Sequence, residues 1–186
     1  MADVVDDPPS VMIIRHGEKP GAGKPHGVTA DGKHDSDSLT VPGWVRAGGL
    51  IELLGATSRA PQAGLRRPDR IYGADPRGGQ SKRSIQTVSP LAARLGIEVD
   101  TRYQEGDEVH LAEEIRELSG TTLVCWHHEA IHRIADHLGP VIPDPPHSWP
   151  EDRFDLVWTF TRTATSWKFA QVPQLLLPDD LPDPIT

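Results

Sequence analysis

The sequence predicts a single α/β domain, a three-layer α/β/α sandwich around a mainly parallel central sheet. Two observations lead there: short apolar runs of strand type alternate with segments of helical periodicity, and no internal repeat breaks the alternation. A third is size, since 186 residues suit one compact domain with a sizeable core.

Val11-Met12-Ile13-Ile14 is an apolar strand that runs into the polar Arg15-His16-Gly17-Glu18. From Pro20 to Thr40 the chain is rich in Gly, Pro, His, Asp and Ser, which predicts a long surface loop. Trp44, Val45, Ala47, Leu50, Ile51 and Leu54 recur at helical spacing, with Pro42 suited to the first turn, so a helix is expected over Pro42 to Leu54. After a connector over Ala56 to Asp69, a short strand is expected at Arg70-Ile71-Tyr72. Ser81 to Leu95 follows as a helix, with Pro90 inside it and Gly96 at its end. Ile97-Glu98-Val99 alternates like a strand, and a helix is expected from about Val109 to Leu118. Thr121 to Trp126 is β-branched and apolar, a buried strand, and an amphipathic helix follows from Ala130 to Leu138, stopped by Gly139-Pro140. Beyond a Pro-rich loop, Leu156 to Thr161 and Ser166 to Gln171 predict an antiparallel pair. Residues 1–9 and 173–186 are expected as extended, poorly ordered tails of the one domain.

Composition narrows the function classes. A formal net charge of -8 argues against general nucleic-acid binding, whose affinity comes mostly from Lys and Arg at phosphates. No stretch approaches the roughly 20 apolar residues that span a bilayer, and the acidic start lacks the basic and apolar run of a secretory signal. A cytoplasmic protein without nucleic-acid or membrane partners is the expectation. The single cysteine, Cys125, excludes an intramolecular disulfide and a four-cysteine zinc site, and it reads as a small buried strand residue.

In open α/β sheets ligands sit at the carboxyl ends of strands, and two histidine-bearing segments, Arg15-His16 and His127-His128, fall there. Phosphoryl transfer through a protein nucleophile needs an attacking group, cations that spread charge, and an acid for the leaving oxygen. A neutral His16 could attack, Arg15 could fork onto phosphate oxygens, Arg83 opens a helix after a strand, and His128 adds a donor.

Arg15-His16-Gly17-Glu18 after an apolar strand resembles the signature of the histidine phosphatase (phosphoglycerate mutase-like) superfamily. Leu39 to Ala47 is similar to the family's first helix after an L-T-x-x-G step, Ser81 to Thr87 to its S-x-R-x-x-[QE]-T segment, and Leu123 to Ile131 to the strand that ends in the second histidine. Trp149 to Asp155 also resembles a segment of bacterial members of one branch, without a chemical role being readable. The resemblance implies a metal- and cofactor-independent phosphatase acting on a small phosphorylated substrate. His16 would be phosphorylated, with Arg15, Arg83 and His128 binding the phosphoryl group and Glu108 as general acid. His128 is preferred to His127 for its distance to Ile131. Glu18 and His127 are further candidates, and Glu105 and Glu129 are alternatives for the acid.

Other readings are open at this point. A phosphoglycerate mutase-type phosphotransferase would use the same groups, and a non-catalytic phospholigand-binding module would keep the pocket without turnover. His128-Glu129-Ala130-Ile131-His132 is a literal H-E-x-x-H, which on a helix would ligate zinc. The strand expected before it puts His128 at a helix entrance and weakens that reading. His26 and His34 lie in the loop after His16 and read as solvated. Substrate and oligomeric state are not readable from the residues.

Overall fold

The computed structural model describes residues 7–56, 64–77 and 82–186. Residues 1–6 of the expected N-terminal tail, 57–63 of the connector, and 78–81, which include Ser81, lie outside the described residues.

Every residue of β1 (Ser10–Arg15) is buried, as expected of a strand covered on both faces. It pairs in parallel with β4 (Thr121–Trp126) and antiparallel with β6 (Leu156–Arg162). With β2 (Arg70–Gly73), β3 (Val99–Asp100), β5 (Val141–Ile142) and β7 (Trp167–Pro173) the sheet has the order β3-β2-β4-β1-β6-β7-β5. The β1 to β4 half is parallel, and β6 is antiparallel to both of its neighbours. The fold is an α/β/α three-layer sandwich with a mixed, largely parallel sheet.

The two helical layers follow from the period of two along the strands. Met12 and Ile14 face one cluster with Leu50 and Leu54 of α1 (Val41–Gly55) and Val88, Leu91 and Ala92 of α2 (Arg83–Leu95). Val11 and Ile13 face the other, with Leu111 and Ile115 of α3 (Glu108–Ile115) and Ile131 and Ile134 of α4 (Ile131–His137). Burying each such side chain contributes about 1.5–3 kcal/mol. Thr40 caps α1 by accepting from the Gly43 N–H, and Gly96 ends α2 in the left-handed region at φ 69°.

Several expectations differ from the structure. The helix read to Leu118 is α3 and ends at Ile115. The stretch after Pro140 contains the edge strand β5, which pairs with β7 and exists only by that pairing. The strand read at Ile97 to Val99 is β3 at Val99–Asp100. The C-terminal segment has no regular element, but it is packed: Ile185 is buried, and its N–H and C=O pair with the Gln171 side chain. No helix among the described residues is long and apolar enough to cross a membrane.

Candidate active site

The register of β1 on β4 aligns Arg15 with Trp126, so the next residues, His16 and His127, leave neighbouring strands at one edge. The His16 N–H donates to the Trp126 carbonyl at 3.2 Å, and the two imidazole rings meet edge to face with centroids 5.9 Å apart. Because β6 runs antiparallel to β1, the residues that precede it reach the same edge from the other flank. There the Phe154 ring lies 6.1 Å from that of His16.

His16 is buried, and its Nδ1 lies 2.7 Å from the Gly17 carbonyl oxygen. A carbonyl only accepts, so Nδ1 carries the proton and Nε2 keeps its lone pair. Burial holds the imidazole well below its ordinary pKa; the Gly17 carbonyl opposes this, and the charges of Arg15, His127 and Arg83 add to it.

Arg15 is fully buried. Its Nη1 donates to three backbone carbonyls, of Pro150 (3.2 Å), Glu151 (2.6 Å) and Arg153 (3.0 Å), and its Cζ sits 3.9 Å from the centre of the Phe154 ring. Nε and Nη2 have no hydrogen-bond partner among the described residues. Burial pushes this guanidinium down to about 10, against the pull of Glu129, Glu151, Glu18 and Asp152. Two unsatisfied donors on a buried cation cost about 1–3 kcal/mol each or more. The segment Trp149 to Asp155, which had no readable role, thus builds the arginine's socket.

Arg83 is half-buried at the start of α2. Nε donates to the Ser38 carbonyl at 3.3 Å and Nη2 to that of Ser36 at 2.8 Å. Its charge depresses the basicity of both His16 and His127. Two side chains tie this helix to the rest of the site. Thr87 Oγ1 accepts from the Gly17 N–H at 2.8 Å and donates to the Arg83 carbonyl at 2.7 Å. The Gln86 side chain holds the Leu39 N–H and the Ser38 hydroxyl.

His127 and His128 are both buried at the end of β4, on different sides. His127 faces His16, its Nε2 lacks a partner among the described residues, and burial lowers its pKa, opposed most by Glu105 and Glu129. The surroundings of His128 are Arg15, Glu129, Lys19 and Glu151, and its Nδ1 lies 2.7 Å from Glu129 Oε2 without hydrogen-bond alignment. Burial lowers its pKa also. Helix α4 begins only at Ile131, so His128 and His132 do not share a helical face as an H-E-x-x-H zinc site requires.

The four carboxylates have distinct places. Glu108 is buried at the start of α3, where its Oε1 accepts from Trp126 Nε1 and from the Gly106 N–H, both at 3.0 Å. Glu105 and Glu129 are exposed. Glu18 is committed to Arg46, whose Nη2 lies 2.6 Å from its Oε1. A cavity of about 460 Å³ opens beside Phe154, between Lys24 and Pro25 of the loop, the start of α1 and Leu177 to Leu181. His26 and His34 stack on each other, exposed, at 5.0 Å. Cys125 is a core residue whose burial raises its thiol pKa.

The Arg15 socket, Trp126 as the partner of Glu108, and the anchoring by Gln86 and Thr87 were not read as site features from the sequence. Signals existed for the last two, which stand inside the Ser81 to Thr87 motif, and for the socket, whose carbonyls belong to the Trp149 to Asp155 segment.

No family model and no curated protein sequence matches the chain. Solved structures do. The protein histidine phosphatase SixA complexed with tungstate is 15% identical, covering 89% of this chain and 97% of its own, with a TM-score of 0.58. A phosphoserine phosphatase from Entamoeba histolytica in complex with phosphoserine is 13% identical over 91% and 99%, with a TM-score of 0.58. A mycobacterial glucosyl-3-phosphoglycerate phosphatase complexed with VO3 is 17% identical over 87% and 96%, with a TM-score of 0.50. At these identities the likeness is one of architecture: the chain has the phosphoglycerate mutase-like fold that these phosphatases share.

Proposed function

We propose that the chain is a phosphatase that hydrolyses a small phosphomonoester through a phosphohistidine on His16. The observation that carries this reading is a neutral imidazole with a free Nε2 beside a buried guanidinium that keeps two donors unused. Tungstate and VO3, found with two phosphatases of the same fold, are oxyanions of the kind such a pair would hold.

In the first step His16 Nε2 attacks phosphorus in line, the phosphorus–oxygen ester bond breaks, and protonated Glu108 gives its proton to the leaving oxygen. In the second, the Glu108 carboxylate takes a proton from water as the water oxygen attacks phosphorus. The phosphorus–nitrogen bond breaks, and His16 and phosphate are released. Arg15 and Arg83 spread the charge of the transferring group, so the scheme calls on no metal. Of the two strand-end histidines, His127 is the one assigned to the phosphoryl oxygens, because it is the ring in contact with His16. Glu108 is preferred to Glu105 and Glu129 because it is buried and held by Trp126. The cavity beside Phe154 falls in the range of about 300–1,000 Å³ typical of small-molecule sites; it is lined by Lys24 and Pro25 and not by His16, Arg15, Arg83 or Glu108, and the two loop residues support a part for the loop after His16 in substrate choice.

The test is a panel of phosphomonoesters assayed for released phosphate, with acid-labile phosphohistidine trapped during turnover. His16→Ala is expected to abolish both signals. Substantial phosphatase activity in that variant would remove His16 from the nucleophile role.

A further inference from the structure

Arg46 of α1 is a buried, heavily bonded charge that the proposed chemistry does not use, on the wall of the cavity beside Phe154. Its guanidinium holds two carboxylates from distant parts of the chain. Nε reaches Glu18 Oε1 and Oε2 at 3.0 and 3.2 Å, and Nη2 reaches Glu18 Oε1 at 2.6 Å. Nη2 and Nη1 also reach Asp180 Oδ1 and Oδ2 at 2.6 and 3.1 Å, and Nη1 donates to Gln174 Oε1 at 3.0 Å. Asp180 is itself fixed, because its Oδ2 accepts from the Leu176 and Leu177 N–H groups. Gln174 Nε2 in turn donates to the carbonyls of Phe154 and Leu156.

The significance lies in what Glu18 adjoins. The proton position on His16 depends on one acceptor, the Gly17 carbonyl, and that carbonyl belongs to the peptide that joins Gly17 to Glu18. This peptide is gripped on both sides. Before it, the Gly17 N–H is held by Thr87; after it, the Glu18 carboxylate is held by Arg46 and the Glu18 carbonyl by the Thr40 N–H and hydroxyl. A rotation of the peptide would remove the acceptor from Nδ1 and free the ring to carry its proton on Nε2, where a lone pair is needed for attack.

We propose that Arg46, with Asp180 as its second carboxylate, is a positioning residue for His16: through Glu18 it fixes the Gly17 carbonyl and so the Nδ1–H tautomer. The C-terminal segment thereby belongs to the catalytic apparatus. The inference rests on His16 being the phosphoryl acceptor, but its test does not depend on turnover.

The experiment is nitrogen NMR of the His16 imidazole in the full chain, in the unsubstituted protein and in the isosteric variants Glu18→Gln and Asp180→Asn. Thermal unfolding of each variant establishes that it is folded. The unsubstituted protein should show His16 protonated on Nδ1. Both variants should show an increased share of the Nε2–H form. In phosphatase assays kcat should fall at least tenfold in Glu18→Gln and several-fold in Asp180→Asn, while inhibition by inorganic phosphate stays within threefold. A merely structural role would lower the unfolding temperature without moving the tautomer. Unchanged His16 nitrogen shifts in both folded variants would overturn the proposal, whatever happens to activity. Absence of phosphatase activity in the unsubstituted protein would instead count against the phosphatase reading and leave the tautomer result to stand alone.

Discussion

The two arginines of the site are built in opposite ways. Arg15 is sealed in the interior, gripped by three carbonyls of a remote segment and stacked on Phe154, with two donors left over. Arg83 is half-buried and leans on the carbonyls of Ser36 and Ser38 in the loop that follows the nucleophile. The first is held by segments packed in the interior, whereas the second is held by the loop that follows His16. Preorganised charge in a water-poor setting contributes more to a transition state than the same charge near solvent. On the proposed reading, the contrast makes Arg15 the main charge stabiliser and Arg83 the residue that captures the incoming anion.

Substitutions can break this contrast or sharpen it. Arg15→Lys should have the largest effect, lowering kcat by roughly 10²–10³-fold, because an ammonium cannot serve three carbonyls and two phosphate oxygens together. Arg83→Lys should cost roughly tenfold, mostly in KM, since a point charge at a half-exposed position still attracts an anion. Steady-state kinetics on one substrate decide the matter, and equal losses in the two variants would dissolve the distinction. On the opposite flank, Trp126→Phe removes the indole donor from Glu108 and should lower kcat by roughly 3–10-fold, in keeping with about 1 kcal/mol for a buried hydrogen bond. Inhibition by inorganic phosphate should not change.

The mildest effect concerns stability. Burial lowers the His16 pKa in the folded chain, so between that value and the unfolded value near 6.5 the unfolded state binds more protons. Stability is therefore undiminished above about pH 6.5 and declines as pH falls below it, by up to about 1.4 kcal/mol per pH unit from His16 alone. Denaturant unfolding at pH 7 and pH 5 measures the decline, and His16→Ala should make it shallower. An unchanged slope in that variant would mean that burial does not hold the ring neutral.

Much of the fold was legible because hydrophobic period and turn chemistry act locally. β4 was read with its observed bounds, and α1 and β2 to within a residue at either end. Strand β5 was not, since two residues pair with β7 only once the sheet around them exists. The site divides in the same way. Of the proposed site, His16, Arg15, Arg83 and Glu108 stand in short sequence patterns. The grip on Arg15 comes from backbone carbonyls, which every residue possesses, so no side chain advertises it. For His127 and His128 the sequence offers spacing to Ile131, which favours His128, and the structure offers ring contact with His16, which His127 makes. The tail's many prolines predicted looseness, yet Asp180 and Ile185 find partners that only three-dimensional proximity supplies.

The socket of Arg15 has a consequence for biosynthesis. The carbonyls that hold this arginine lie 135 to 138 residues further along the chain. A polypeptide emerging from the ribosome therefore presents Arg15 and His16 long before the backbone that holds Arg15 has been made. Closing so long a loop carries an entropic cost that the contact must offset, so on the proposed reading the anion site is incomplete until Pro150 to Arg153 have been translated and packed against Arg15.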